Sequence, residues 1–270
     1  MHEFFSVMTL PFVACLILAG MYAYLGFHVI EREVIFVDLA LAQIAILGAS
    51  CAVVFGFDME SPVSYWLSLG FTVVGAAIFS LTRFKEQRVP QEAIIGITYA
   101  VSAALLVMVL SRSGEGDEHI KQALVGNILL VSIPEIIRIA AVCASVGMVH
   151  FVFQRQFLLI SQEPDRAFQQ GMNVRFWDFL FYVTFGWVVT NSVKTTGVLL
   201  VFSFLVVPSV CALLFSGGLK KRLIIGWVIG FIASILGMSL SYYFDFPTGA
   251  SVVCVLGGIL AVLSLWRKLR

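Results

Sequence analysis

Apolar residues fall along this chain in long runs, each broken by a short cluster of charged or turn-forming residues. A bilayer core about 30 Å thick needs roughly 20 apolar residues per helix, so runs of this length predict membrane-spanning helices. Nine runs can be cut, near residues 5–30, 34–57, 62–82, 89–111, 133–153, 176–192, 195–217, 223–243 and 250–266. Only the polar stretch Thr190-Asn191-Ser192-Val193-Lys194-Thr195-Thr196-Gly197 separates the sixth from the seventh, so a count of eight stays open. The predicted fold class is an all-α polytopic membrane protein of eight to nine spans, forming one domain over residues 1–270.

Two connecting segments are long enough to hold structure of their own. Residues 112–132 open with Ser113-Gly114-Glu115-Gly116-Asp117-Glu118 and turn apolar over Ala123-Leu-Val-Gly126-Asn127-Ile-Leu-Leu130. That apolar part is too short to cross, and a re-entrant or interfacial helix is expected. Residues 154–175 contain Gln162-Glu163-Pro164-Asp165-Arg166-Ala167-Phe168, followed by Gly171. Proline suits the first turn of a helix, carboxylates its positive end and glycine its stop. A short helix near 163–171 is therefore predicted between the fifth and sixth spans.

Composition agrees with the runs. The chain is 60% hydrophobic and 12% charged, with a mean hydropathy of +0.99, whereas soluble domains carry about 25% charged residues. Its 17 Lys and Arg nearly cancel its 16 Asp and Glu, which leaves no basic surface for nucleic acid. Cys15, Cys51, Cys143, Cys211 and Cys254 lie singly in apolar runs and read as small hydrophobes. Met1-His2-Glu3 lacks the positive start of a signal peptide, so the first run is expected to stay as a span. Thirteen of the 17 Lys and Arg fall in the odd-numbered loops and the carboxyl-terminal tail, against Arg112, Lys121 and Lys194 in the even loops and Arg138 within the fifth run. Basic residues collect on the cytoplasmic side. The amino terminus is thus expected outside, with loops 83–88, 154–175 and 219–222 inside.

Polar residues inside the runs are the candidates for function. Asp38 and Gln43 lie in the second, where an ionised Asp at mid-bilayer costs roughly 2.5–3.5 kcal/mol and demands a partner or a wet cavity. Five residues at about 100° each set them roughly 140° apart on a helix. They either line a transport path or serve packing, Asp38 by bonding to backbone and Gln43 by tying helices together. Glu92, in the first turn of the fourth run, is expected to meet the helix dipole as a cap. His2, His28, His119 and His150 include no pair at the i, i+4 spacing of a helical metal site. Pro208 should kink the seventh span, and Gly226, Gly230 and Ser234 form a small-residue stripe suited to close helix contact. Neither a phosphate-binding G-x-x-x-x-G-K-[ST] nor an H-E-x-x-H or G-x-S-x-G motif occurs, so any ATP must be hydrolysed by another chain.

Three segments together resemble the permease subunits of bacterial ABC importers for zinc, manganese and iron. Val193-Lys-Thr-Thr-Gly197-Val-Leu-Leu, running on to Pro208-Ser-Val-Cys-Ala212, is similar to that family's Gly-x-Leu-Leu…Pro-x-x-x-Ala span. Ser241-Tyr-Tyr-Phe-Asp245-Phe-Pro247-Thr-Gly249-Ala250 is close to its Ser-Tyr-x-x-Asp-x-Pro-x-Gly-Ala turn, and Glu163-Pro164-Asp165-Arg166-Ala167…Gly171 resembles its loop that presses on the ATPase. Gly126-Asn127 and Glu92…Ile95-Gly96 add weaker matches. The resemblance implies a type II ABC-importer-like bundle in the bacterial inner membrane, working as a homodimer between an extracytoplasmic substrate-binding protein and separate ATP-binding subunits. ATP would sit on the partner, and this chain would hold no cofactor of its own. By the same resemblance Glu163, Pro164, Asp165, Ala167 and Gly171 would couple to the ATPase, Pro208 would mark the kinked span, and Gln43 with Asp38 would gate the substrate. Zinc and manganese members carry Asp-x-x-x-His on the second span, whereas aligning on Gly48 puts Leu39 and Gln43 there. A self-contained secondary transporter or channel is the alternative, disfavoured by the absence of an inverted repeat and the scarcity of buried charge.

Overall fold

Thirty residues, His2–Glu31, form the first helix, α1, which continues without a break through Pro11. In the computed structural model, residues 2–59, 61–83, 89–111, 125–215 and 217–269 are described. Among them follow α2 (Val37–Val54), α3 (Pro62–Leu81), α4 (Gln91–Leu110), α5 (Ile133–Val152), α6 (Gln154–Gln162), α7 (Pro164–Gln169), α8 (Val174–Thr196), α9 (Val198–Leu213), α10 (Leu219–Phe244) and α11 (Thr248–Lys268). A single 3-10 turn, Ile128–Leu130, is also present, and no strand occurs among the described residues.

Among the described residues, seven helices are long and apolar enough to cross a membrane: α1 over Val7–Glu31, α2, α3, α4, α5, α10 and α11. The predicted sixth and seventh runs correspond to α8 and α9. Polar residues from Asp178 to Thr196 dilute the hydropathy of α8, and α9 is only 16 residues long. The break between them falls at Gly197, whose φ of 78° is a conformation that side chains oppose. Residues 154–175 hold two helices where the sequence suggested one. The extra one, α6, turns Phe157, Ile160 and Ser161 inward at near-helical spacing and Gln154, Arg155 and Gln162 outward. The acidic opening of the expected re-entrant segment, residues 113–118, lies outside the described residues. From Val125 onward, the described part of its apolar remainder turns at Gly126 (φ 65°) into the 3-10 turn.

Contacts divide the chain into two compact units. One comprises residues 1–30, 124–145 and 192–270. Here α9, α10 and α11 pack on one another, with Gly237 so near α11 that a Cβ would stand 2.5 Å from Val252 Cα. The small-residue stripe of α10 finds its partner in α1: a Cβ on Gly226 would meet that of Ala23 at 3.1 Å, and one on Gly230 that of Ala19 at 2.7 Å. Close backbone approach of this kind is how helices gain packing energy without a hydrophobic driving force. Three segments matched by the resemblance also converge. Asn127 N–H donates to Thr195 O at 3.1 Å, a Cβ on Gly197 would meet Gly126 N at 2.5 Å, and one on Gly249 would lie 3.3 Å from Val125 O. The Ser241–Thr248 turn closes beside them. Phe246 N–H donates to Ser241 O, Ser241 Oγ bonds Phe246 O and Thr248 Oγ1, and Asp245 ends α10 in the left-handed region.

The second unit comprises residues 31–123 and 146–191. Its centre is α2, packed against α3 and α4. Gly48 admits α3 closely, since a Cβ there would stand 2.8 Å from Leu67 O, and Gly75 of α3 returns the fit against Ile44 at 2.6 Å. Phe79, Phe157, Phe181, Tyr182 and Phe185 are fully buried and form its aromatic core.

Candidate functional site

The start of α2 concentrates the unusual chemistry of the second unit. The link from α1 turns through Glu33 in the left-handed region (φ 56°), and Val37 N–H donates to Val34 O at 3.1 Å, so the helix begins abruptly. Its first turn places Asp38 fully inside the protein. Neither carboxylate oxygen of Asp38 finds a hydrogen-bond donor among the described residues, nor does Gln43 Oε1 deeper in the same helix. Among the described residues, Asp38 thus accepts no backbone bond and Gln43 Oε1 no bond from a neighbouring helix. Buried acceptors left without donors are costly. Two of them on one helix are the chemistry expected where a solute or water must be met. The two residues share α2 but not a hydrogen bond, and among the described residues no three His, Cys, Asp or Glu side chains gather as a metal site.

A charge cluster that the sequence did not disclose lies beside this helix start. Arg32, in the link before α2, donates from Nε to Ser161 Oγ of α6 at 2.8 Å and from Nη1 to Asp178 Oδ1 of α8. Arg83, just beyond α3, donates from Nη1 to both oxygens of Asp178, at 3.0 and 2.8 Å. All three charged side chains are almost wholly buried. Burial pulls the Arg32 guanidinium below its ordinary value, and Asp178 opposes that pull. The Arg32 guanidinium also lies 4.1 Å from the centre of the Phe181 ring, a cation–π contact. Arg32 and Arg83 lie in loops at span ends, yet both turn inward. The available signal was Asp178 itself, an acid within an apolar run that two span-end arginines could reach.

From Ser161 the cluster leads to the predicted short helix. Pro164 opens α7 at its first position, and Gly171 (φ 72°) follows its end, as the sequence chemistry required. Ala167 is fully buried in a small core with Ile160 and Val174, covered by Leu159, Phe168, Met172 and Trp177. It pins α7 to α6 and α8 instead of facing outward. Glu163, Asp165 and Arg166 are exposed, with Arg166 Nη1 paired to Glu163 Oε2 at 3.0 Å. Pro208 sits inside the continuous α9 of the first unit, buried near Gly226 of α10.

Long apolar helices, a helix start with undonated buried oxygens, and an exposed short helix linked to it through buried charge mark a polytopic helical membrane protein. Comparison with known proteins agrees. The chain belongs to the ABC 3 transport family, whose profile matches residues 4–268. It is 26% identical over 200 residues to the manganese transport system membrane protein MntC of Listeria innocua, covering 72% of this chain and 71% of that protein. It is 22% identical over 215 residues to the chelated iron transport system membrane protein YfeD of Yersinia pestis, covering 77% and 72%. A solved structure, PsaBC from Streptococcus pneumoniae in complex with Fab, shares its fold with a TM-score of 0.79 at 21% identity, over 97% of this chain and 94% of that one.

Proposed function

We propose that this chain is the inner-membrane permease subunit of an ATP-driven importer for a divalent metal ion of the zinc, manganese and iron group. It acts as a homodimer, receives the ion from an extracytoplasmic binding protein, and couples to separate ATP-binding subunits that carry out the hydrolysis. In this reading α8 and α9 also cross the bilayer, giving nine spans with the amino terminus outside. The names of the manganese and chelated-iron relatives support the choice of cargo.

The observation that carries the reading is the unbroken chain of contacts from the exposed helix to the start of α2. The ATPase presses on the outward face of α7, at Glu163, Asp165 and Arg166. Ala167 passes the displacement to α6 and α8 through its buried contacts, and Ser161 passes it to Arg32. Arg32 precedes α2, so its movement tilts the helix that holds Asp38 and Gln43 and alternates the side from which they are reached. Asp38 attracts or releases the cation at the inner end, and Gln43 lines the path. Carboxylate and amide oxygens are hard donors, which ranks manganese ahead of zinc, an ion better held by imidazole and thiolate.

Reconstitution of the full chain in proteoliposomes, with its ATPase and binding protein, tests this directly. Metal-stimulated ATP hydrolysis and ATP-dependent uptake are expected. Uptake by the chain alone, driven by an ion gradient without ATP, would sink the proposal in favour of a secondary transporter.

A further inference from the structure

The first turn of α10 reads Leu219-Lys220-Lys221-Arg222. Cations gain nothing from the positive end of a helix dipole; the cytoplasmic side accounts for their sign, and the helix adds an apolar face that continues from them. Lys220 and Lys221 are exposed. From Lys220 one face continues through Ile224, Trp227 and Phe231 at spacings of four, three and four, and all three apolar residues are exposed. Between this face and α1 lies an open groove of about 310 Å³, lined by Leu16, Ala19, Gly20, Trp227, Val228 and Phe231. Gly20 faces this open space: a Cβ there would meet nothing within 4 Å. Its wall is fixed, since Trp227 Nε1 donates to Gly20 O at 3.0 Å. Towards the basic end the Arg222 guanidinium lies 5.9 Å from the centre of the Phe27 ring.

We propose that this seam of α1 and α10 binds one anionic phospholipid, its phosphate held by Lys220 and Lys221 and one acyl chain laid in the groove. Charge comes first and the apolar slot follows: Trp227 lies about 10 Å along the helix axis from Lys220, and Phe231 about 16 Å. A phospholipid presents its headgroup and chain in the same order, and basic pockets between spanning helices are the usual site for anionic headgroups. A second copy of the chain fits poorly. A two-fold contact sets the same patch against itself, which would oppose the lysines of the two copies.

The test incubates the full chain in detergent with mixed vesicles of phosphatidylglycerol and phosphatidylcholine and counts retained lipid by native mass spectrometry. One phosphatidylglycerol per chain is expected to persist, in preference to phosphatidylcholine. Each lysine near a membrane surface contributes about a fivefold gain in affinity for anionic lipid, so the double variant K220Q/K221Q should lose about 25-fold, and K220R/K221R should recover it. G20L starts from a Cβ position with nothing within 4 Å, puts a side chain into the groove, and should evict the lipid while both lysines remain. Equal retention of the two lipids in every variant would overturn the proposal, as would disulfide cross-linking of two chains in the variant G20C.

Discussion

Glu92 Oε1, in the first turn of α4, accepts the backbone N–H of Phe36 at 3.0 Å, and Phe36 is the residue that caps α2. The carboxylate thus serves the start of another helix, where the sequence suggested only its own. No side chain within α2 caps its first turn, so the position of Asp38 depends on a contact from α4. Replacing Glu92 by Ala should cost about 1 kcal/mol and speed amide exchange over residues 36–40. Glu92→Gln, which keeps an oxygen acceptor, should restore most of the protection.

Asp178 pairs with two buried guanidinium groups at once. Removing one member of a buried pair costs about 3–5 kcal/mol because a charge stays behind unpaired. Asp178→Ala should therefore lower the melting temperature and the yield of monodisperse chain in detergent more than Arg83→Gln, which leaves Asp178 with Arg32. An equal or smaller loss in Asp178→Ala would mean that the cluster does not hold this region together.

Gly171 has a positive φ and open space around it. A β-branched side chain there strains the backbone by about 1–2 kcal/mol without a clash. Gly171→Val is expected to leave ATP hydrolysis running in the assembled complex while uptake falls. Ala167→Asp is a harsher change, since it drives charge into a closed core and should unfold α7. The cleaner probe of the outward face is Arg166→Glu, which should weaken ATPase binding at unchanged chain stability.

Gln43 and Asp38 make the path hypothesis testable through ion preference. Gln43→Leu should cut uptake without unfolding the chain, because it removes an undonated oxygen and keeps the bulk. Gln43→His should raise zinc uptake relative to manganese, since imidazole suits zinc. Asp38→Asn should slow transport by removing the carboxylate that would meet the cation. Rates and preference unchanged in all three would assign both residues to packing.

A single cysteine at position 166 should react with an impermeant reagent only in inverted vesicles or permeabilised cells. Labelling from outside intact cells would reverse the orientation argued from the basic residues.

Local chemistry was legible in the sequence, and pairing across distance was not. Pro164 and Gly171 bounded α7 because each acts through its own backbone, and Gly197 marked the end of α8 for the same reason. The cluster of Arg32, Arg83 and Asp178 joins residues up to 146 positions apart, and no periodicity encodes such a partner. Helix α6 is not legible in the sequence because its nine residues of mixed polarity resemble a loop, and only the fold shows Phe157 and Ile160 buried together on one face. The glycines at 126, 197 and 249 were separate signals in the sequence. Only the fold reveals that they mark one place where backbones touch.

That meeting place also fixes an order of events during biosynthesis. Gly126 and Gly249 are about 120 residues apart, and a ribosome adding 5–20 residues per second needs roughly 6–25 s to bridge that interval. The segment around Gly126 leaves the ribosome with its final neighbour still unmade. Closing the joint is thus among the last steps of assembly, and a chain truncated before residue 249 would leave the backbone groups at 125–127 without that neighbour, open to quality-control proteases.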